Sequence, residues 1–386
     1  MTNTHLPAVE LARELVRIPS VTPVDGGCQQ VVMARLQALG FTVYPLVFGQ
    51  VSNFYARLGG NGKNFCFAGH TDVTPSGESH LWRFDPFAAQ NHAGTIIGRG
   101  ICDMKGAIAA MVVAVERLLR DHPHIPDHNS ISFLITGDEE GQAVDGTVKV
   151  LEWCRDRGER LDYCLVGEPT SVERLGDCLK NGRRGSVNGL LTIHGRQGHV
   201  AYPHLAINPI HEGLAILDTL ARHPYDRVAN PHFPPTSFQW TRLQAGDGAT
   251  NVIPAQMTAQ FNIRFSTEHT PASLEACVRS LLAPLQQKGC PYDLTLQVSG
   301  LPFVTRGETL LHTIQNSVRD LLGITPVLST GGGTSDARFI ARYCPETAEF
   351  GLVGASMHKT DESTPVDDLH NLTRVYQRIL ATLLLP

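Results

Sequence analysis

The chain has 386 residues, 42% hydrophobic and 18% charged, an ordinary globular composition whose length favours two domains of roughly 100–200 residues each. A net charge of −5, from 32 basic and 37 acidic residues, offers no electrostatic footprint for nucleic acid. No apolar run reaches the roughly 18 residues needed to span a bilayer, so no membrane partner is expected.

The N-terminal stretch MTNTHLPAVELARELVRIPSV has no basic segment followed by a continuous apolar core. Val9, Leu11, Leu15 and Val16 recur at helical spacing, which predicts an amphipathic helix and not an export signal. NFCFAG (64–69) reads as a buried strand, 106–119 as a helix, SISFLIT (130–136) as a second buried strand, 143–156 as a helix and LDYCLVG (161–167) as a strand. Short apolar strands separated by helices predict a mostly parallel sheet covered on both faces. Its ligand site should lie beyond the carboxyl ends of the strands.

From about residue 184 the pattern changes. Strands at 186–195, 237–246, 256–265 and 292–300 enclose helices at 208–222 and 271–287. The order β-α-β-β-α-β is that of a ferredoxin-like α+β unit. The Pro-rich segment 223–236 reads as a surface connection. The first pattern then resumes, with a helix near 308–322, strands near 326–330 and 348–353, and a last helix at about 367–384. The expected architecture is therefore an α/β domain, residues 1–183 and 297–386, interrupted by an α+β domain, residues 184–296. Nine cysteines, an odd number without a CxxC pair, suit reduced thiols in the cytoplasm better than a disulfide framework.

Five segments each place an acid or imidazole just after a strand or at a turn. FAGHTDVTPSG carries His70 and Asp72, which share a face in extended chain, so the carboxylate can sit behind the imidazole. GRGICDMKGAIAAM carries Asp103 on a Gly-flanked turn, where on its own it reads as a helix N-cap. ITGDEEG ends a buried strand with three consecutive acids, including Glu139 and Glu140, whose charges oppose one another unless a cation is near; an exposed acidic turn is the alternative. LVGEPT carries Glu168 and FGLVGASMHKTDE carries His358. Taken together the donors are nitrogen and oxygen without cysteine, a set suited to catalytic zinc more than to a structural site.

In this order the five segments resemble the di-zinc family of aminoacylases, acetylornithine deacetylases and desuccinylases, from the first helix to the C-terminus. The resemblance implies a zinc-dependent amidohydrolase with two Zn²⁺ per subunit, cobalt suiting the same ligands. By motif, His70 and Glu168 would complete one zinc, Glu140 and His358 the other, with Asp103 bridging. Asp72 would stand behind His70, and Glu139 would be the general base. His199 in GRQGHVAYPH, a surface histidine on residue type alone, would by resemblance help stabilise the oxyanion from the partner subunit of a homodimer formed through the inserted domain.

Within the family, the motifs KNGRRGS, GHVAYPHLAINP, ATNVIP, FNIRFS and GGGTSDARF look most like the desuccinylase branch. Its substrate, a succinylated diaminopimelate, carries several carboxylates. Arg183, Arg184, Tyr202, Asn251 and Arg264 would meet them, together with Gly331, Thr334 and Ser335 on a Gly-rich loop. Arg183 and Arg184 each read equally as a solvated charge, whereas Arg264 follows an apolar strand and favours the binding role. A sibling deacylase acting on acetylornithine is the alternative. Cys102, Gly137 and Asp361 depart from the usual residues of the branch without replacing an expected ligand.

Overall fold

A computed structural model describes residues 6–60 and 62–385; the expected first domain also contains residues 1–5, 61 and 386, which lie outside the described residues. The chain divides into two compact units. The first comprises Met1–Gly182, Thr305–Ser329 and Ser335–Pro386, the second Arg183–Val304 and Thr330–Thr334.

The first unit is built on an eight-stranded sheet in the order Thr42–Phe48, Val51–Leu58, Ser130–Thr136, Asn64–His70, Tyr163–Val166, Thr347–Glu349, Cys178–Lys180 and Val327–Ser329. Asn64–His70 runs parallel to both its neighbours, and the antiparallel hairpin Thr42–Phe48/Val51–Leu58 forms one edge. Asn64–His70 and Ser130–Thr136 are buried at every position. That explains why neither strand alternates apolar with exposed polar residues, since helices cover both faces, and why their few polar side chains (Asn64, Ser130, Ser132 and Thr136) are buried too. Cross-strand partners share a face: Ala56 opposes Phe133, and Tyr55 opposes Leu134. On one side Phe133 meets Phe67, whose ring lies 5.3 Å from Tyr376 of the C-terminal helix Val366–Leu384. On the other, Tyr55 meets Trp153 of the helix Thr147–Asp156 at 5.8 Å.

The helix Gly106–Asp121 packs between the C-terminal helix and Pro7–Val16. Lys105, fully buried, donates from Nζ to the carbonyls of Leu15 and Ile18 at 3.0 and 2.8 Å. It thus adds a second donor to carbonyls where Pro7–Val16 ends, each of which also accepts a backbone N–H, from Ile18 and Ser20 respectively. Tyr376 is likewise buried and donates its hydroxyl to the Phe350 carbonyl at 2.6 Å. Tyr376→Phe leaves that buried acceptor unpaired and is expected to destabilise this unit by about 1–3 kcal/mol, read as a lowered thermal unfolding midpoint.

The second unit is a four-stranded antiparallel sheet in the order Ser237–Ala245, Gln256–Phe265, Gly185–His194, Tyr292–Gly300, with helices Pro209–Arg222 and Pro271–Gln287. The β-α-β-β-α-β order is as expected. Both helices begin with proline behind a side-chain cap: Asn208 accepts from Ile210 N–H, and Thr270 and Ser273 form a reciprocal box. Phe238 stacks on Phe261 at 4.7 Å in the core. Gly189 is required beneath Phe261, because a Cβ there would collide with the ring. In the irregular segment 223–236, Asp226 accepts from Thr236 Oγ1 and pairs with His269 Nε2 at 2.9 Å.

Candidate metal centre

All seven expected metal and proton-transfer residues lie in the first unit. His70 ends the strand Asn64–His70. Its Nδ1 lies 2.9 Å from the Asp72 backbone carbonyl, which can only accept, so Nδ1 carries the proton and Nε2 is left as the donor to a metal. Nε2 faces Asp103 Oδ1 at 3.2 Å and Glu168 Oε1 at 3.6 Å. Asp72 therefore orients the ring chiefly through its main chain; its carboxylate stands 3.6 Å from Nδ1. That carboxylate accepts the backbone N–H groups of Glu139 and Glu140, at 3.3 and 3.1 Å. Asp72 thereby fixes the acidic turn as well as the histidine.

The three consecutive acids separate in role. Asp138 turns inward and accepts the N–H groups of Gln142, Val144 and Asp145. This shapes the turn and delays the following helix to Thr147, where the sequence predicted a start at 143. Glu140 Oε1 meets His358 Nε2 at 2.7 Å. Glu139 meets Arg338 Nη1 at 3.8 Å across a nearly buried contact.

Asp103 sits in the kinked segment Ile101–Lys105, preceded by Gly100 at φ +85°, before the helix Gly106–Asp121. The helix takes no side-chain cap, so the N-cap reading of Asp103 does not hold. Its carboxylate instead divides between two imidazoles: Oδ1 faces His70 at 3.2 Å and Oδ2 faces His358 at 3.3 Å. Glu168 follows the strand Tyr163–Val166 in a turn packed against Gly351, where a Cβ would collide with the carbonyls of Gly167 and Glu168. His358 lies on a loop, half exposed, at φ +61°, a left-handed conformation uncommon for a non-glycine residue.

Burial and crowded carboxylates shift the ionisation of these groups. Burial pushes Glu168 up to about 7 and Asp72 to about 6, and burial with the nearby Glu168 raises Glu139 well above the ordinary carboxylate range. Burial also opposes ionisation of Asp103, but hydrogen bonds from His358 and His70 outweigh it and hold the acid low. Hydrogen bonds to Asp103 and Glu140 push His358 up to about 10. Each side chain is using its neighbour as a counter-ion where a cation would serve all of them.

Donor atoms lie within 4.8 Å of one another in three overlapping groups: His70/Asp103/Glu168, Asp103/Glu140/His358 and His70/Glu139/Glu140. Glu168 Oε1 is buried without a hydrogen-bond partner, as an oxygen intended for a metal would be. The donor chemistry, the shared carboxylate and this orphaned oxygen all fit a pair of divalent cations.

The expected substrate residues fall mostly in the second unit. His199 pairs with Val252, the Val200 N–H donates to the Asn251 carbonyl at 3.1 Å, and the Tyr202 ring lies 5.8 Å from His199, so these residues form one exposed cluster. Buried Arg183 donates to the Gly333 carbonyl at 3.1 Å, and Arg184 N–H to the Thr330 carbonyl at 3.3 Å, binding both to the segment that contains Gly331 and Thr334. Arg264 donates from Nε to Asn262 Oδ1 at 2.9 Å. Ser335 belongs to the first unit, where its hydroxyl donates to buried Glu349 at 2.5 Å. Sequence reasoning passed over Arg99, Asp138, Arg338 and Glu362. Only the charge of each is legible, and charge does not say that a side chain is buried beside a turn.

Residues 66–382 match the model of peptidase family M20/M25/M40. A relative from Magnetococcus marinus, named succinyl-diaminopimelate desuccinylase, is 56% identical over 98% of both chains. Two solved structures share the fold. An M20 family metallo-carboxypeptidase from Sulfolobus solfataricus has a TM-score of 0.79 at 16% identity, covering 97% of this chain and 99% of its own. A dinuclear metal binding peptidase of the M20 family from Bacillus subtilis has a TM-score of 0.75 at 16% identity, covering 98% and 97%. Family and side-chain clustering together support a metal cofactor. The chain belongs to peptidase family M20/M25/M40.

Proposed function

We propose that this protein hydrolyses the amide bond of N-succinyl-L,L-diaminopimelate, yielding succinate and L,L-diaminopimelate, a step of lysine and diaminopimelate biosynthesis. The reaction class is carried by one observation: Asp103 turns one carboxylate oxygen to His70 and the other to His358. The substrate rests on the 56% identity with a succinyl-diaminopimelate desuccinylase.

In this reading His70 and Glu168 would hold one Zn²⁺, Glu140 and His358 the second, and Asp103 would serve both; Co²⁺ suits the same donors. When bound, the two cations would lower the pKa of the attacking water towards roughly 7 and polarise the scissile carbonyl. Glu139 accepts the proton of that water and returns it to the departing amine nitrogen. Burial tends to keep Glu139 protonated and the charge of His70 opposes it, while Arg338 stands 3.8 Å from the acid. Asp72 holds the N–H groups of residues 139 and 140, so that Glu139 and Glu140 leave one turn towards different tasks. Arg184, Arg264, Tyr202 and Asn251 are assigned to the substrate carboxylates.

The first unit is assigned to catalysis and the second to homodimerisation, which sedimentation at several concentrations tests directly. All nine cysteines are free, in keeping with a reducing cytoplasm. Among the described residues no helix is long and apolar enough to cross a membrane.

The deciding assay compares succinylated diaminopimelate with acetylated ornithine, using purified protein supplied with Zn²⁺. Hydrolysis preferring the succinylated compound is expected. Preference for the acetylated one would replace the desuccinylase reading with that of a sibling deacylase and leave the metal chemistry standing.

A further inference from the structure

One buried ion pair beside the metal centre serves no ligand role. Arg99 and Glu362 meet at 2.7 Å, with side chains 3% and 0% exposed. Pairs so buried lose more solvation than most surface pairs and are weak evidence of added stability. Their connections are therefore the informative part. Glu362 Oε1 accepts the N–H groups of Cys102 and Asp103, at 3.1 and 3.3 Å, and the Cys102 thiol at 3.3 Å. Glu362 Oε2 accepts from Arg99 Nη1. The other arm of the guanidinium, Nη2, reaches the carbonyls of His358 and Pro75, each at 3.4 Å. The Arg99 guanidinium also lies over the Trp82 ring at 5.3 Å, which limits its other orientations.

The pair thus joins the backbone of Asp103 to the backbone of His358. These residues belong to one donor group, Asp103/Glu140/His358, yet stand on a kinked turn and a half-exposed loop far apart in sequence. His70 and Glu168 have independent supports: the first a fully buried strand, the second a turn packed on Gly351. His358 stands on a loop, and its left-handed backbone must be kept in place by its surroundings.

We propose that Arg99 and Glu362 are positioning residues for the second metal subsite, setting the spacing of His358 from Asp103 and hence the affinity of that subsite relative to the first. The inference rests on the two-metal reading above. Groups that orient ligands without touching the metal typically govern 10–100-fold in affinity.

Two variants isolate the link. Glu362→Gln can keep an oxygen on the N–H groups of Cys102 and Asp103 while turning an amide NH₂ towards Arg99. Arg99→Lys keeps the charge opposite Glu362 and removes the arm that reaches His358. Each metal-free variant is titrated with Zn²⁺ by calorimetry and with Co²⁺ by visible absorption, beside the parent, with circular dichroism and thermal melting as controls. The expected result is two binding events in the parent and, in both variants, a second event weakened 10–100-fold with the first unchanged. A purely structural pair would lower the melting temperature and leave the ratio of the two affinities at the parent value; that outcome overturns the proposal. So does equal weakening of both events, or failure of both variants to fold. A parent that takes up only one metal overturns the two-metal reading and this inference with it, and is told apart by the parent titration alone.

Discussion

Glu139→Gln should reduce turnover by roughly 10²–10⁴-fold, the usual contribution of a positioned general base, while metal content stays at the parent level. Glutamine keeps the size of the side chain and one acceptor oxygen but cannot take a proton at neutral pH. Geometry separates Glu139 from its neighbour. Glu140 Oε1 lies 2.7 Å from His358 Nε2, inside the group that shares Asp103. Glu139 faces Arg338 instead. Glu139 also lies within reach of His70 and Glu140 as a third possible donor group, so the metal measurement is as important as the rate. Loss of metal together with rate would make Glu139 a ligand, and parent-level turnover would remove it from the mechanism altogether. Substrate affinity should change much less than turnover, because the lost interaction belongs to the transition state.

Asp103→Ala is expected to abolish measurable turnover and to weaken both metals by more than roughly 100-fold, beyond the range for groups that only orient ligands. The reason is the division of its carboxylate, one oxygen towards His70 and the other towards His358. No other side chain in the cluster belongs to both of those donor groups. His358→Ala supplies the contrast: it should empty one subsite and spare the other, since His70, Asp103 and Glu168 remain. Calorimetric titration of the metal-free variants with Zn²⁺ checks both. If Asp103→Ala still binds one metal with parent affinity, Asp103 is not shared and the assignment of the two subsites must be redrawn.

Much of the fold was legible because burial leaves a pattern along the chain. NFCFAG and SISFLIT are rich in apolar residues and lack an alternating polar face because both their faces are covered, and both are strands of the central sheet. The two helices and four strands of the second unit stand in the order that the apolar pattern along the chain predicts. The helix predicted from 143 begins instead at Thr147, because the Asp138 carboxylate holds the preceding N–H groups in a turn. A polar side chain that competes for backbone donors is hard to read without knowing which way it points.

The candidate centre shows the same division. Sequence alone determined the candidate donors and their local settings: imidazoles and carboxylates placed where strands end, on glycine-flanked turns, in an order resembling that of a metallohydrolase family. It left Asp103 as a plausible helix cap, and it gave no sign that Arg99 and Glu362, 263 residues apart, form one buried pair. Tertiary structure decided that Asp103 faces two imidazoles, that Asp72 holds the acidic turn through its carboxylate and His70 through its carbonyl, and that Asp138 is spent on the backbone. The physical reason is range. Propensity and burial act over a few residues and write themselves into the local pattern, whereas a coordination site depends on distances of a few ångströms between segments that only the packed sheet brings together.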